Sequence, residues 1–258
     1  MADEYANIIS KYGHWKDVGT KVVGTPAWSY CVMFLRTLQG ILGDGIDYLW
    51  YKNIRDDILN DKNNEPKFAL DKIGEQEGYI LGFADGPDNR KSPTESTYIQ
   101  TINYAKEYVY ITTPYFVIGE TILAALLNSA RSGVDVRIIL PHIPDNKIIH
   151  TVTRSFYEVL LEAGVKVYEY EPGFIHAKTF VSDDEIAIIG TANLDFRSLH
   201  LNFECGTLIY KTGVEDKLKK DFLNTVEDCV QIDLAQWKKR SIFKKMTEAV
   251  LSAFAPML

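Results

Sequence analysis

The sequence predicts an α/β fold, a mixed or largely parallel β-sheet flanked by helices, and three observations carry that prediction. Short β-branched runs alternate with segments whose apolar residues recur at helical spacing. Two junctions, "SGVDVRIILP" and "AGVKVYEYEP", look alike: each closes a helix at glycine, runs through a buried strand and stops at proline. The composition is globular, with 258 residues, 46% of them hydrophobic and 24% charged. That length suits one large domain or two modest ones.

Taken in order, the elements follow from local chemistry. In "GTPAWSYCVMFLRTLQGILGD" (Gly24 to Asp44), Pro26 suits a first helical turn, and Trp28, Val32, Leu35 and Leu38 repeat at helical spacing. The polar stretch from Arg55 to Gly78 reads as a connection. Tyr79 to Asp85 reads as a strand, and Ser92-Pro93-Thr94-Glu95 opens a helix through about Lys106 as a capping box. "YVYITTPYF" is strand-like, and Ile122, Leu126 and Ala130 mark a helix closed by Gly133. "VDVRIIL" is a buried strand. Ile149, Val152, Phe156 and Val159 line one face of a helix ending at Gly164, and "VKVYEY" is the next strand. From Val214 to the end the pattern is helical.

The charge excludes some functions. The net charge is −7 and the pI about 5.3, without the basic excess of a nucleic-acid binder, so no nucleic acid is expected as partner. The three cysteines, Cys31, Cys205 and Cys229, form neither a metal spacing nor a disulfide framework. The opening "MADEYANIISKYGHWKD" is polar and acidic, unlike a signal peptide. No apolar run approaches the roughly 20 residues that span a bilayer. A soluble chain, cytoplasmic or membrane-peripheral, is the expectation.

The chemistry concentrates in "GFIHAKTFVSDDEIAIIGTANLDFRSLHLNFE", Gly173 to Glu204. Read as one strand, His176 to Ser182 would place His176, Lys178 and Phe180 on one face. A histidine beside a lysine suits a phosphate site: lysine supplies a compact positive charge, and imidazole attacks phosphorus or carries a proton. Asp183 has the opposite parity and is expected to hold the loop or brace the site from behind. A bend at Gly190 and Thr191 would deliver Asn193, a neutral hydrogen-bond donor for a phosphate oxygen. Glu204, one strand later, is a candidate to hold the second nitrogen of an imidazole and fix its tautomer. Tyr115 and Phe116 end a predicted strand, where open α/β sheets put their sites, although aromatic packing also accounts for both. His142 and His150 read as ordinary loop or surface histidines, and nothing demands a role for His200.

The run His176-x-Lys178, Asp183, Gly190-Thr191-x-Asn193 resembles the HKD signature of the phospholipase D superfamily, with all six positions filled over 18 residues. The similarity extends over nearly the whole chain. "TPYF", "RSFYEVLLEAGVKVYEYEPGFIHAK", "GTANLDFRS" and "LNFE" resemble the C-terminal half of bacterial cardiolipin synthases, as do "ADEY" and "YGHWKDVGTKVVG" near the start. Complete members carry two such motifs. Here the other His-x-Lys, His14-Trp15-Lys16, has Lys21 where the aspartate belongs.

The resemblance therefore implies two parts. Residues 1–73 would be the trailing part of an N-terminal phospholipase D-like half plus a connection, and residues 74–258 a C-terminal domain with one motif. It implies phosphatidyl transfer between two phosphatidylglycerols, giving cardiolipin and glycerol through a phosphohistidine, with no metal or other cofactor. The signature makes His176, Lys178 and Asp183 the catalytic set, His176 in the acid/base role, with Asn193, Glu204, Thr191 and Tyr115 on the substrate side. Its partners would be phosphatidylglycerol and related phospholipids, an anionic membrane surface, and the missing half or a second copy. The full-length enzyme would act at the bacterial cell membrane. Two other functions fit the same residues: a phosphodiesterase or nuclease sharing its site across a homodimer, and an inactive half that only binds phosphate or headgroup. Finally, "WKKRSIFKKMTEAVLSAFAPML" reads either as a basic amphipathic helix lying on an anionic membrane or as a domain-closing helix, and inward packing is the preferred reading.

Overall fold

The computed structural model describes residues 3–24, 26–42, 51–53, 56, 78–87 and 91–253. The connection expected over 55–78 lies almost wholly outside them. The strands are β1 (His14–Lys16), β2 (Tyr79–Asp85), β3 (Tyr108–Thr112), β4 (Phe116–Val117), β5 (Asp135–Pro141), β6 (Lys166–Tyr170), β7 (Gly173–Ile175), β8 (Thr179–Ser182), β9 (Ile186–Gly190), β10 (Leu194–Asp195), β11 (Glu204–Tyr210) and β12 (Cys229–Gln231). The helices are α1 (Ala27–Leu42), α2 (Pro93–Tyr104), α3 (Glu120–Arg131), α4 (Lys147–Ser155), α5 (Tyr157–Glu162), α6 (Phe196–His200), α7 (Val214–Glu227), α8 (Leu234–Lys238) and α9 (Ile242–Ser252).

Eight strands form the main sheet in the order β12-β6-β5-β3-β8-β9-β11-β2. Its centre, β3, β5 and β6, is parallel, and every other pairing is antiparallel, so the sheet is mixed. Both faces are covered, as strands without a polar face require. On β3, Val109 and Ile111 enter a core with Tyr98, Ile102, Ile122, Leu126 and Trp237, while Tyr108 and Tyr110 enter a second core with Leu218 and Phe222 of α7. Side-chain alternation thus assigns α2, α3 and α8 to one face and α7 to the other.

Local signals act as read. Ser92 caps α2, accepting the Glu95 N–H at 2.9 Å, with Pro93 in the first turn. Gly133 and Gly164, at φ 98° and 97°, make the left-handed turns that end α3 and α5. Three expectations change. The helix over 149–164 breaks at Phe156 into α4 and α5. The helical tail is interrupted by β12, which pairs antiparallel to β6 and closes that edge of the sheet. The single strand expected over 176–182 begins only at Thr179, because the chain bends at 176–178 as it leaves one ladder for another.

That bend positions the site. β7 belongs to a two-stranded parallel sheet with β1: His14 stands opposite Gly173, Trp15 opposite Phe174 and Lys16 opposite Ile175. The His176 N–H continues the ladder to the Lys16 carbonyl at 2.7 Å, and the Lys178 carbonyl then accepts from Gly190 N–H at 3.1 Å, joining the main sheet. His176 and Lys178 therefore sit at a corner between two sheets, where side chains are not locked into a continuous pleat.

Candidate active site

The corner opens into a cleft of about 560 Å³ lined by Tyr5, Trp15, Asp17, Val18, Gly19, His176, Lys178, Gly190 and Thr191. The first seventeen residues contribute three of its side chains through the β1–β7 ladder. Asp17 Oδ2 lies 2.8 Å from His176 Nδ1. With the carboxylate accepting the Nδ1 proton, the imidazole is held in the tautomer whose Nε2 lone pair is free. Trp15, buried, sets the ring plane from one side, with centroids 4.9 Å apart, and packs on Phe174 at 5.0 Å. Burial alone would raise the Asp17 carboxyl, but the hydrogen bond from His176, the Val18 N–H and the charges of His176 and Lys178 outweigh it and hold it below its ordinary value.

Lys178 is 7% exposed. Its ammonium donates to the His176 carbonyl. Burial pushes its pKa down to about 8, against the opposing pull of Asp17, Glu204, Asp195 and Asp145. Four carboxylates thus act on the one lysine of the signature, and a phosphodiester entering the cleft needs further positive charge.

The other expected site residues divide. Thr191 lines the cleft and donates its hydroxyl to Glu204, whose second oxygen accepts from Asn202 at 3.2 Å. Glu204 is therefore held beside the cleft by Thr191 and Asn202, and the carboxylate on His176 is Asp17. Asn193 donates to Ser198 Oγ at 3.2 Å, and its Oδ1 is buried without a partner. Tyr115 donates to Asp145, in the loop after β5. Asp183 lies at the far end of β8, where its carboxylate accepts the N–H groups of Lys106, Glu107 and Tyr108 at 2.7, 3.1 and 2.9 Å. It fastens the turn after β8 to the start of β3.

Three of the four remaining histidines have structural partners, and the fourth, His150 on α4, has its Nε2 buried without one. His14 Nδ1 meets the Tyr170 hydroxyl at 2.9 Å, and Lys16 pairs with Asp221 at 2.8 Å, so the second His-x-Lys is a feature of the β1 ladder. His142 joins buried Glu169 at 2.8 Å, together with Arg154 and Tyr157. His200 lies 3.9 Å from Glu95 and packs on Phe196. Asp17 and Trp15 are the site residues that sequence reasoning missed. The one available signal was the alternation in "HWKD", which places Trp15 and Asp17 on the same face of a short strand. Among the described residues no group of three or more His, Cys, Asp and Glu could hold a metal ion, and no helix is long and apolar enough to cross a membrane.

The family model described as "Cardiolipin synthase, PLD-like domain" matches residues 98–226. Over 258 residues the chain is 35% identical to a cardiolipin synthase of Alkalihalophilus pseudofirmus and 36% identical to one of Geobacillus thermodenitrificans, in each case covering all of this chain and 48% of the relative. The chain thus spans about half the length of the curated relatives it matches. Among solved structures, phosphatidylserine synthase of Haemophilus influenzae has the same fold, with a TM-score of 0.52 at 17% identity over 69% of this chain and 45% of that one. The chain belongs to the phospholipase D-like family of cardiolipin synthases.

Proposed function

We propose that this member of the family is the C-terminal half of a cardiolipin synthase, transferring a phosphatidyl group between two phosphatidylglycerols at the bacterial membrane with release of glycerol. The observation that carries the reading is a cleft with one oriented histidine, held by Asp17, beside one buried lysine. In the two-histidine reaction one imidazole attacks the phosphodiester and the leaving glycerol oxygen takes a proton from the other. The second alcohol then displaces the phosphohistidine and gives its proton back. His176, with Nδ1 held by Asp17, serves as the proton carrier: protonated on Nε2 when glycerol leaves, it gives that proton to the glycerol oxygen and takes one back from the second alcohol. Lys178 binds a phosphoryl oxygen, Asn193 and Thr191 shape the phosphate end, and Tyr115 borders it.

The histidine that attacks, and a second lysine that offsets the carboxylates, come from a first motif outside this chain. Glu204 is free of His176 and stands ready to orient that second imidazole. Residues 1–73 then belong with the preceding half, and residues 74–258 form the C-terminal domain. The relatives' extra length is where such a motif would lie.

The test pairs this chain with a separately produced first-motif half of the Geobacillus thermodenitrificans relative on phosphatidylglycerol vesicles. Cardiolipin and glycerol are followed by mass spectrometry, and the mass in solution is measured alongside. The expected result is product from the pair and none from the monomeric chain. Cardiolipin made by a strict monomer would refute the shared site, as would a folded pair that binds and forms none.

A further inference from the structure

The last helix is oriented against the usual rule. A surface helix turns its apolar stripe inward and its charges outward. In α9 the one buried residue is Glu248, which faces Arg240 at 2.5 Å, while Ile242, Phe243, Met246 and Val250 are 69%, 77%, 59% and 60% exposed. At 3.6 residues per turn these four fall within an arc of about 100°. The helix is held against the body by its polar side: Arg240 to Glu248, and Lys245 to Glu158 at 2.9 Å, with Lys238 just before it on Glu162 at 2.5 Å. Inward packing, preferred from the sequence, thus applies to the charges and not to the apolar stripe.

We infer that the outward apolar face of α9 docks on an anionic phospholipid bilayer, with the exposed Lys239 and Lys244 reaching its phosphates from beside that face. Two features of this surface select a bilayer over a protein. Of the five cations in this region, three are spent on Glu158, Glu162 and Glu248, while Lys239 and Lys244 carry no ion pair among the described residues. The one carboxylate of α9 is turned inward, so the outward stripe is apolar and free of negative charge, with the exposed Lys239 and Lys244 beside it, on a chain whose net charge is −7. Protein interfaces are depleted of lysine. A bilayer surface accommodates both features: the apolar stripe enters the boundary of headgroups and acyl chains, and the lysine stems reach back to the phosphates. Ile148, exposed on α4 against which α9 packs, lies on the helix that follows the Asp145 loop beside the cleft. The inference rests on the proposed function only in supplying a route to a lipid substrate; the surface itself is independent of the pocket.

The test is co-sedimentation of this chain with phosphatidylcholine vesicles, with and without roughly one-third phosphatidylglycerol. The triple variant Ile242→Ser, Phe243→Ser, Met246→Ser and the double variant Lys239→Gln, Lys244→Gln are compared with the parent and with His176→Ala. Expected are binding to the anionic vesicles, a loss of tenfold or more in the folded triple variant, and a loss of about 10- to 30-fold in the double variant. His176→Ala binds vesicles like the parent. Unchanged binding by the folded triple variant overturns the inference. So does a parent dimer that the triple variant turns into a monomer without vesicle binding, or a first-motif half that abolishes vesicle binding when added. Loss of binding in His176→Ala alone would move the lipid contact to the pocket, removing this inference while leaving the proposed function intact. Vesicle binding without transfer by the paired halves would do the reverse.

Discussion

Strand β8 carries the signature to two unlike ends, about 17 Å apart along the strand from Lys178 to Asp183. At the Asp183 end the carboxylate is fully engaged: three backbone N–H groups converge on it, in a turn where Asp183 and Asp184 both adopt positive φ, 52° and 56°. At the other end the chemistry is left unfinished. His176 has one nitrogen engaged, Lys178 is buried against its preferred charge, and Asn193 Oδ1 has no partner. One motif therefore divides its labour: Asp183 fastens the frame, while His176 Nε2 and Asn193 Oδ1 stay unengaged at the proposed site.

Substitutions separate the two ends. The largest effect expected is at the open end: in the paired-half assay His176→Ala lowers cardiolipin formation by about 10²- to 10⁴-fold, while the thermal midpoint stays within error of the parent. A midpoint that falls with the activity would break the comparison. At the closed end, Asp183→Ala removes three charge-assisted hydrogen bonds and leaves at positive φ a residue without the short polar side chain that favours it, costing about 2–3 kcal/mol in urea unfolding. The variant, where folded, keeps its binding of inorganic phosphate.

Asp17→Asn tests the hidden partner of His176. Losing the charged acceptor costs about 1.5–3 kcal/mol, roughly 10- to 100-fold in transfer rate, with little change in stability. An unchanged rate would leave the carboxylate as mere packing. The smallest effect is expected for Lys178→Met. The native lysine titrates near 8 and the unfolded one near its ordinary 10.5. Between those values the unfolded chain binds more protons, so stability rises with pH across that window, and the full penalty is present below about 8. The methionine variant should lose that slope, gain on the order of 1 kcal/mol at pH 7, and lose phosphate binding. In the parent, phosphate binding weakens as pH rises through about 8. A variant whose stability curve still climbs from 8 to 10.5 would assign the slope elsewhere.

The sheet was legible because its elements announce themselves locally: "VDVRIIL" and "VKVYEY" are buried on both faces, and Gly133 and Gly164 stop helices where the pattern ends. The signature was legible because its spacing is a property of a short segment. What escaped depends on distant pairing. Asp17 reaches His176 across 159 residues through a three-residue parallel ladder, and neither strand is long enough to show its partner. β12 escaped for a similar reason: "CVQ" has no pattern of its own and becomes a strand because β6 offers an edge. The outward stripe of α9 was visible as a stripe, but its direction was decided by Arg240, Glu248, Glu158 and Lys245, which hold the opposite side.

The β1–β7 ladder also fixes an order of events during synthesis. At about 5–20 residues per second, the 159 residues that separate Asp17 from His176 take roughly 8 to 30 s to emerge. Throughout that interval the opening segment has no β7 to lie beside. The proton on the histidine is given its place only when the beginning of the chain is folded back onto a strand made long after it.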